Sequence, residues 1–154
     1  MSEEGGPQPE RLRELVERVV ETLGLEGTVD VSDDGETLTA TVSGEDLGLL
    51  IGRHGETIDA LQHLAVRIAG GRDEDRRRVI VDAAGYRARR AGVLCEEADR
   101  AADQAVRFDR PIALDAMSPF ERRVVHEHLR DRGGVETYSE GDEPERHLVV
   151  APVT

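Results

Sequence analysis

The chain has 154 residues, room for one or two small domains, and sets 33 acids against 20 arginines, with no lysine and a net charge of −13 at pH 7. That charge argues at first against a nucleic-acid partner. A single cysteine excludes an internal disulfide framework or cysteine metal site, no apolar run reaches the ~20 residues of a membrane span, and no signal peptide is present, so a cytoplasmic protein is expected.

In chain order, residues 1–9 are acidic and Gly/Pro-containing and are expected to be disordered. Residues 10–23 read as a helix, with Leu12, Leu15, Val16, Val19, Val20 and Leu23 at helical spacing and Gly24 as its stop. Two alternating segments follow, 28–31 and 37–42, joined through Asp33-Asp34-Gly35, a hairpin signal. A short apolar helix over 45–51 then meets the tetrad Gly52-Arg53-His54-Gly55 and a second helix over 56–69. On that helix Ile58, Leu61, Leu64, Ala65, Ile68 and Ala69 share one face and Glu56, Asp59, His63 and Arg67 the other. Gly70-Gly71 ends it, and residues 76–82 read as a strand.

The tetrad carries the chemistry of this half. Two glycines permit a sharp bend with no Cβ in the way of a close visitor. The helix that starts behind it points free amides and a positive dipole end at the turn, where a phosphate is the natural visitor. Arg53 can pair with phosphate and His54 can donate a hydrogen bond. By itself a G-x-x-G is weak and fits a plain helix–turn–helix connection. The charge distribution favours the sharper reading: residues 1–50 carry a net −10 and residues 51–95 a net +3, the only positive block. Leu47, Leu50 and Ile51 are either an apolar surface beside the loop or core.

A long arginine- and alanine-rich helix spans 85–106, with Val93, Leu94, Ala98, Ala101, Ala102 and Ala105 on its apolar side and Arg87, Arg89 and Arg90 in its first two turns. Residues 110–114 read as a short edge strand. Ser118 caps the next helix, with Pro119 at its first position and Glu121 three beyond the cap, a capping box. Gly133-Gly134 closes that helix, and two strands follow, 135–139 and 146–150.

On the wheel Phe120, Val124, Val125 and Leu129 bracket His128, which is expected to be buried and hydrogen-bonded. Arg122, Arg123, His126 and Arg130 take the other side, with Arg122 one turn from His126 on the exposed face. Spacing alone makes that pair a helix-surface pair with no ligand. His126-Glu127-His128 is no metal site, because residues two apart face differently. His63 reads as solvated, the 76–78 arginines as a solvated strand edge or a flank of a nucleic-acid path, and Cys95 as a packing residue. No nucleophile–base pair, cofactor motif or Walker lysine is visible, so no enzyme, cofactor or metal is expected.

The order helix, strand, strand, helix, G-x-x-G, helix, strand over residues 10–84 resembles a type II KH domain (α-β-β-α-α-β). Arg122-x-x-x-His126 on a helix before a strand pair resembles the signature of the R-three-H (RxxxH) domain. Both in this order, with GYRARR, SPFERRVVH and TYSEGDEPERHLVVAP in place, resemble the bacterial Jag (SpoIIIJ-associated) family over about residues 10–153. The expected fold is thus α+β: a KH domain over 10–84, a connecting helix over 85–106 and a small α/β R-three-H domain over 107–154.

The resemblance implies a non-catalytic single-stranded-RNA-binding protein, linked to control of cell envelope growth and division and partnered with a second small KH protein. Gly52, Arg53, His54 and Gly55 would clamp the backbone of about four nucleotides. Arg122, His126 and the flanking Arg123 and Arg130 would add a second contact. Longer members carry an extra N-terminal domain and charged linker that this chain lacks, and the acidic first third would repel RNA unless it lies away from the groove. A protein-interaction adaptor with the same fold and little RNA binding is the alternative, which the net charge favours.

Overall fold

The computed structural model describes residues 7–153 and divides into two compact units between Arg87 and Ala88. The first unit contains α1 (Gln8–Thr22), β1 (Thr28–Asp33), β2 (Thr37–Ser43), α2 (Gly48–Ile51), α3 (Glu56–Ala69) and β3 (Arg78–Ala83). The expected order is present. Helix α1 starts two residues earlier than its pattern suggests, because Pro9 is tolerated in a first turn, where no intrahelical donor is missed. Residues 1–6 of the segment expected to be disordered lie outside the described residues.

Strand β2 is central, antiparallel to β1 and parallel to β3. The register explains the core. Val29, Val42 and Ala83 form one rung, Val31, Ala40 and Val81 the next, and Leu38 pairs with Val79, all on one face. Helices α1 and α3 cover that face and bury Leu12, Val16, Val20, Ile58, Leu61, Ala65 and Ala69 against it. The buried stripe of α3 is narrower than expected: Leu64 and Ile68 are exposed. A strict i, i+3, i+7, i+11 row (Ile58, Leu61, Ala65, Ala69) suffices to seat a helix on three short strands.

Side chains complete the joints. The β1–β2 turn is built by carboxylates: Asp33 accepts from the Gly35 amide (2.9 Å), and Asp34 from the amides of Glu36 (2.9 Å) and Thr37 (2.7 Å). The Arg77 guanidinium and then the Gly35 amide hold the Asp33 carboxyl below the usual carboxylate range, and the Thr37 and Glu36 amides do the same for Asp34. On β3, the Val81 amide donates to Gln62 Oε1 of α3 (3.0 Å). Arg87 donates from Nε to the Val81 carbonyl (2.8 Å) and from Nη1 to Asp59 (3.0 Å), tying strand to helix.

The unit boundary falls inside α4 (Tyr86–Phe108), and from Leu94 onward this helix supplies core to the second unit. There Leu94, Ala98, Ala101, Ala102 and Ala105 pack with Met117, Val125, Leu129, Val135, Leu148 and Val150. Cys95 is half-buried on α4, and burial and then the Asp99 carboxylate push its thiol up.

The sheet runs β4 (Ile112–Ala113), β6 (His147–Pro152), β5 (Val135–Glu140), all antiparallel, with α5 (Pro119–Leu129) beside it. Ser118 caps α5 by accepting from the Glu121 amide (3.2 Å). The reciprocal half of the expected capping box is spent elsewhere: the Glu121 carboxylate takes Arg90 Nε at 2.8 Å. A buried carboxylate gains more from a guanidinium than from one backbone amide. Among the described residues no helix is long and apolar enough to cross a membrane.

Candidate nucleic-acid interface

The tetrad sits where α2 gives way to α3. Gly52 closes α2 by donating to the Gly48 carbonyl (2.8 Å) and takes φ 76°. Arg53, His54 and Gly55 make a single tight turn, with His54 (φ 56°) and Gly55 (φ 77°) left-handed. Both glycines are enforced by packing as well as by φ. A Cβ on Gly52 would lie 2.9 Å from the Thr57 amide nitrogen, and one on Gly55 would lie 2.8 Å from Tyr86 Cζ.

The turn thrusts Arg53 and His54 into solvent, and neither makes a side-chain hydrogen bond or ion pair among the described residues. No side chain caps the N-terminus of α3. An uncapped helix start flanked by an unengaged guanidinium and imidazole is arranged to take an anion. Leu47 and Leu50 are buried in the core and Ile51 packs against it, so they provide no apolar platform. Leu49, 59% exposed, is the apolar residue that does face out beside the loop. A four-residue helix is too short for a periodicity to separate Leu49 from Leu50.

In the second unit a cleft of about 480 Å³ opens between α5 and β5, and Arg122, Arg123, His126 and Arg130 all border it. They do not play one role. Arg122 is 8% exposed, contrary to its expected place on the helix surface. Its Nη1 donates to the Met117 carbonyl (2.6 Å) and, at 3.4 Å, to the Arg146 carbonyl, and its Nη2 pairs with Glu143. At ~100° per residue Arg122 falls beside Leu129, two turns on, and next to Val125, so its position lies at the margin of the buried stripe of α5.

His126 does face the cleft, with Nδ1 hydrogen-bonded to Thr137 Oγ1. Arg123 is exposed, 4.0 Å from Glu127, and Arg130 is exposed with no side-chain partner among the described residues. The β5–β6 register turns Thr137 and Ser139 toward α5, opposite Val150 and Leu148, and Tyr138 to the other face with Val149. Thr137 was missed in the sequence, although strand alternation places it on the helix-facing side. His128 is a correction: it is exposed rather than buried, bonded through Nε2 to Asp99 (2.9 Å), with Arg132 on the same carboxylate (3.3 Å). His63 is exposed, as expected of its polar face.

The first unit has the helix order and G-x-x-G placement of a type II KH domain, and the second has an Arg-x-x-x-His helix on a three-stranded sheet, so the class is a KH domain followed by an R-three-H domain. Comparison with known families agrees. Residues 10–82 match the family described as KhpA/KhpB, KH domain, and residues 94–152 match the R-three-H domain family. The second match takes in most of α4. The chain is 32% identical over 140 residues to the RNA-binding protein KhpB of Clostridium symbiosum, covering 90% of this chain and 63% of that protein. It is 37% identical to KhpB of Lactiplantibacillus plantarum (86% of this chain, 41% of that one) and 30% identical to KhpB of Bacillus subtilis (88% and 66%). The chain belongs to this KhpB, or Jag, family, and it spans less than two thirds of the length of most of the relatives it matches.

Proposed function

We propose that this chain binds single-stranded RNA in the cytoplasm without catalysing a reaction, as a post-transcriptional regulator linked to envelope growth and division, with a second small KH protein as a partner. The observation that carries the RNA reading is the Gly52–Gly55 turn: a left-handed loop that presents unengaged Arg53 and His54 at an uncapped helix start. A loop of this shape holds a strand by its backbone, about four nucleotides long. The relatives named as RNA-binding proteins support it. The α5–β5 cleft adds a second contact through His126, Arg123 and Arg130, and two weak sites on one chain gain affinity through effective concentration.

The double variant Arg53→Asp/His54→Asp keeps both glycines and removes only exposed groups. It is expected to weaken binding of a short fluorescent RNA by about tenfold or more at low salt, while circular dichroism stays unchanged. If the wild type binds no RNA at low salt, the reading fails and the adaptor alternative, which the −13 charge favours, takes its place.

Thr137 tests the second contact. Its hydroxyl holds one ring nitrogen of His126 and so fixes which nitrogen faces the ligand. Thr137→Val is expected to weaken RNA binding about as much as His126→Ala, by roughly threefold to tenfold, the equivalent of one hydrogen bond. The melting temperature should hardly move. Unchanged affinity in both variants would remove the cleft from the RNA interface.

A further inference from the structure

A large cleft in the first unit lies away from the tetrad, at the other end of α3. It has a volume of about 1080 Å³ and is bordered by the start of α1, the last turns of α3 and the α3–β3 loop. Five arginines line it, Arg11, Arg67, Arg72, Arg76 and Arg77, against one acidic residue, Asp75. In a chain with 33 acids and 20 arginines this lining is strongly positive, although Asp73 and Glu74 stand in the same loop. Arg77 is paired with Asp33. Arg67, Arg72 and Arg76 are exposed and have no ion-pair partner among the described residues.

The wall that carries them is built, not slack. The Arg77 amide donates to the Gly70 carbonyl (2.7 Å), the Asp75 amide to the Arg72 carbonyl (2.9 Å) and the Arg76 amide to the Asp73 carbonyl (3.2 Å). Gln8 of α1 reaches across and donates from Nε2 to the Asp75 carbonyl (2.8 Å). The loop is thus closed on itself and tied to α1, and its arginines repel one another in a fixed frame. Val66 and Ile68, both nearly half exposed, add an apolar wall. Guanidinium groups beside apolar surface suit a ligand of repeating anionic groups joined by apolar faces, as a nucleic-acid strand is.

We propose that this cleft holds the phosphates of the same RNA strand beyond the nucleotides clamped at Gly52–Gly55. The inference rests on the RNA reading given above. Helix α3 has 14 residues and so separates the tetrad from the cleft by ~20 Å, a span a stacked strand covers in about six nucleotides.

The test compares the full chain with Arg67→Gln/Arg72→Gln/Arg76→Gln, three exposed changes that leave the core untouched, on a 5-mer and a 16-mer single-stranded RNA over a salt series. The 16-mer should bind the triple variant about tenfold or more weakly at low salt, and its log–log salt slope should fall by about 2, the value for three lost phosphate contacts on a single strand. The 5-mer, too short to reach, should bind both proteins alike. An unchanged 16-mer affinity and slope, or an equal loss for both lengths, overturns the proposal. The Arg53→Asp/His54→Asp variant separates the two failures: if it loses the 16-mer while the triple variant keeps it, the RNA reading stands and the cleft proposal falls. If the wild type binds neither RNA, both fall. If the triple variant keeps the 16-mer but loses a 16-residue polyglutamate peptide that the wild type binds, the occupant is an acidic protein and the proposal is wrong.

Discussion

Replacing Arg122 by Ala is expected to destabilise the second unit by about 2–3 kcal/mol, whereas His126→Ala, one turn further along the same helix, should cost under about 0.5 kcal/mol. The difference follows from what each side chain touches. The Arg122 head lies under the helix, where it satisfies the Met117 carbonyl and pairs with Glu143 across the β5–β6 connection. Deleting it leaves a carbonyl in a largely dry site without its donor, which costs about 1–3 kcal/mol. Glu143 is half exposed and regains water, so the full penalty for a stranded buried charge does not apply.

Arg122→Lys should recover only part of the loss. An ammonium can reach one of these acceptors, but it lacks the fork that engages a carbonyl and a carboxylate at once. Urea unfolding followed by hydrogen exchange in residues 88–153 separates the cases. If Arg122→Ala keeps wild-type stability yet loses RNA, Arg122 is a ligand contact after all. The expected result divides the two signature residues between support and contact, so a loss of RNA binding in Arg122→Ala alone would not locate a binding surface.

The same residues show what the sequence could and could not reveal. The alternation of Leu38, Ala40 and Val42, the Asp-Gly turn and the G-x-x-G between two helices each speak of local geometry, and each is found in its expected place. Ser118 capping α5 is equally local. What failed was the placing of the buried arc of α5 and the partners of its polar side chains. The wheel put Arg122 on the exposed side, but the buried stripe of α5 runs through Glu121, Arg122, Val125 and Leu129. It placed His128 among apolar neighbours, but Phe120 is exposed and Val124 only half-buried, so that flank of α5 faces out and His128 meets Asp99 there. Glu121 satisfied a capping pattern and was taken by Arg90, 31 residues away.

Charge partners are set by tertiary neighbours, and no periodicity within one element encodes them. The arginine cleft is the extreme case. Its lining comes from residues 7–11 and 66–77, which are unremarkable as separate stretches and form a site only when α1 and α3 lie side by side. The exposed Leu64 and Ile68 show the converse error. An apolar residue at helical spacing is read as core, but a narrow sheet needs only one row of the helix.

Gly55→Ala is expected to destabilise the first unit by about 2–5 kcal/mol and to abolish loop function with it. Two terms add. An alanine held at φ 77° pays about 1–2 kcal/mol for the left-handed backbone. Its methyl would also fall on the Tyr86 ring, 2.8 Å from Cζ and 2.9 Å from Cε1, an overlap that forces a shift worth about 1–3 kcal/mol. Gly48→Ala in the neighbouring helix is the control. No atom lies within 4 Å of its added Cβ, and at the first position of α2 an alanine should gain about 0.4–1 kcal/mol by restricting the unfolded chain.

The overlap term can be isolated with Tyr86→Leu, which removes the ring but keeps an apolar side chain in the core. A double-mutant cycle of Gly55→Ala with Tyr86→Leu should then show a favourable coupling of about 1–3 kcal/mol, leaving the backbone cost behind. Thermal unfolding measures the cycle, and RNA titration of the same four proteins tells what the glycine is for. If Gly55→Ala is as stable as the wild type and still loses RNA, the loop has shifted away from Tyr86 at no cost and the glycine serves only the visitor's approach. If stability and binding fall together and return together in the double variant, the tyrosine at the start of α4 sets the height of the loop, and the tetrad's shape is as much a product of packing from below as of the ligand above.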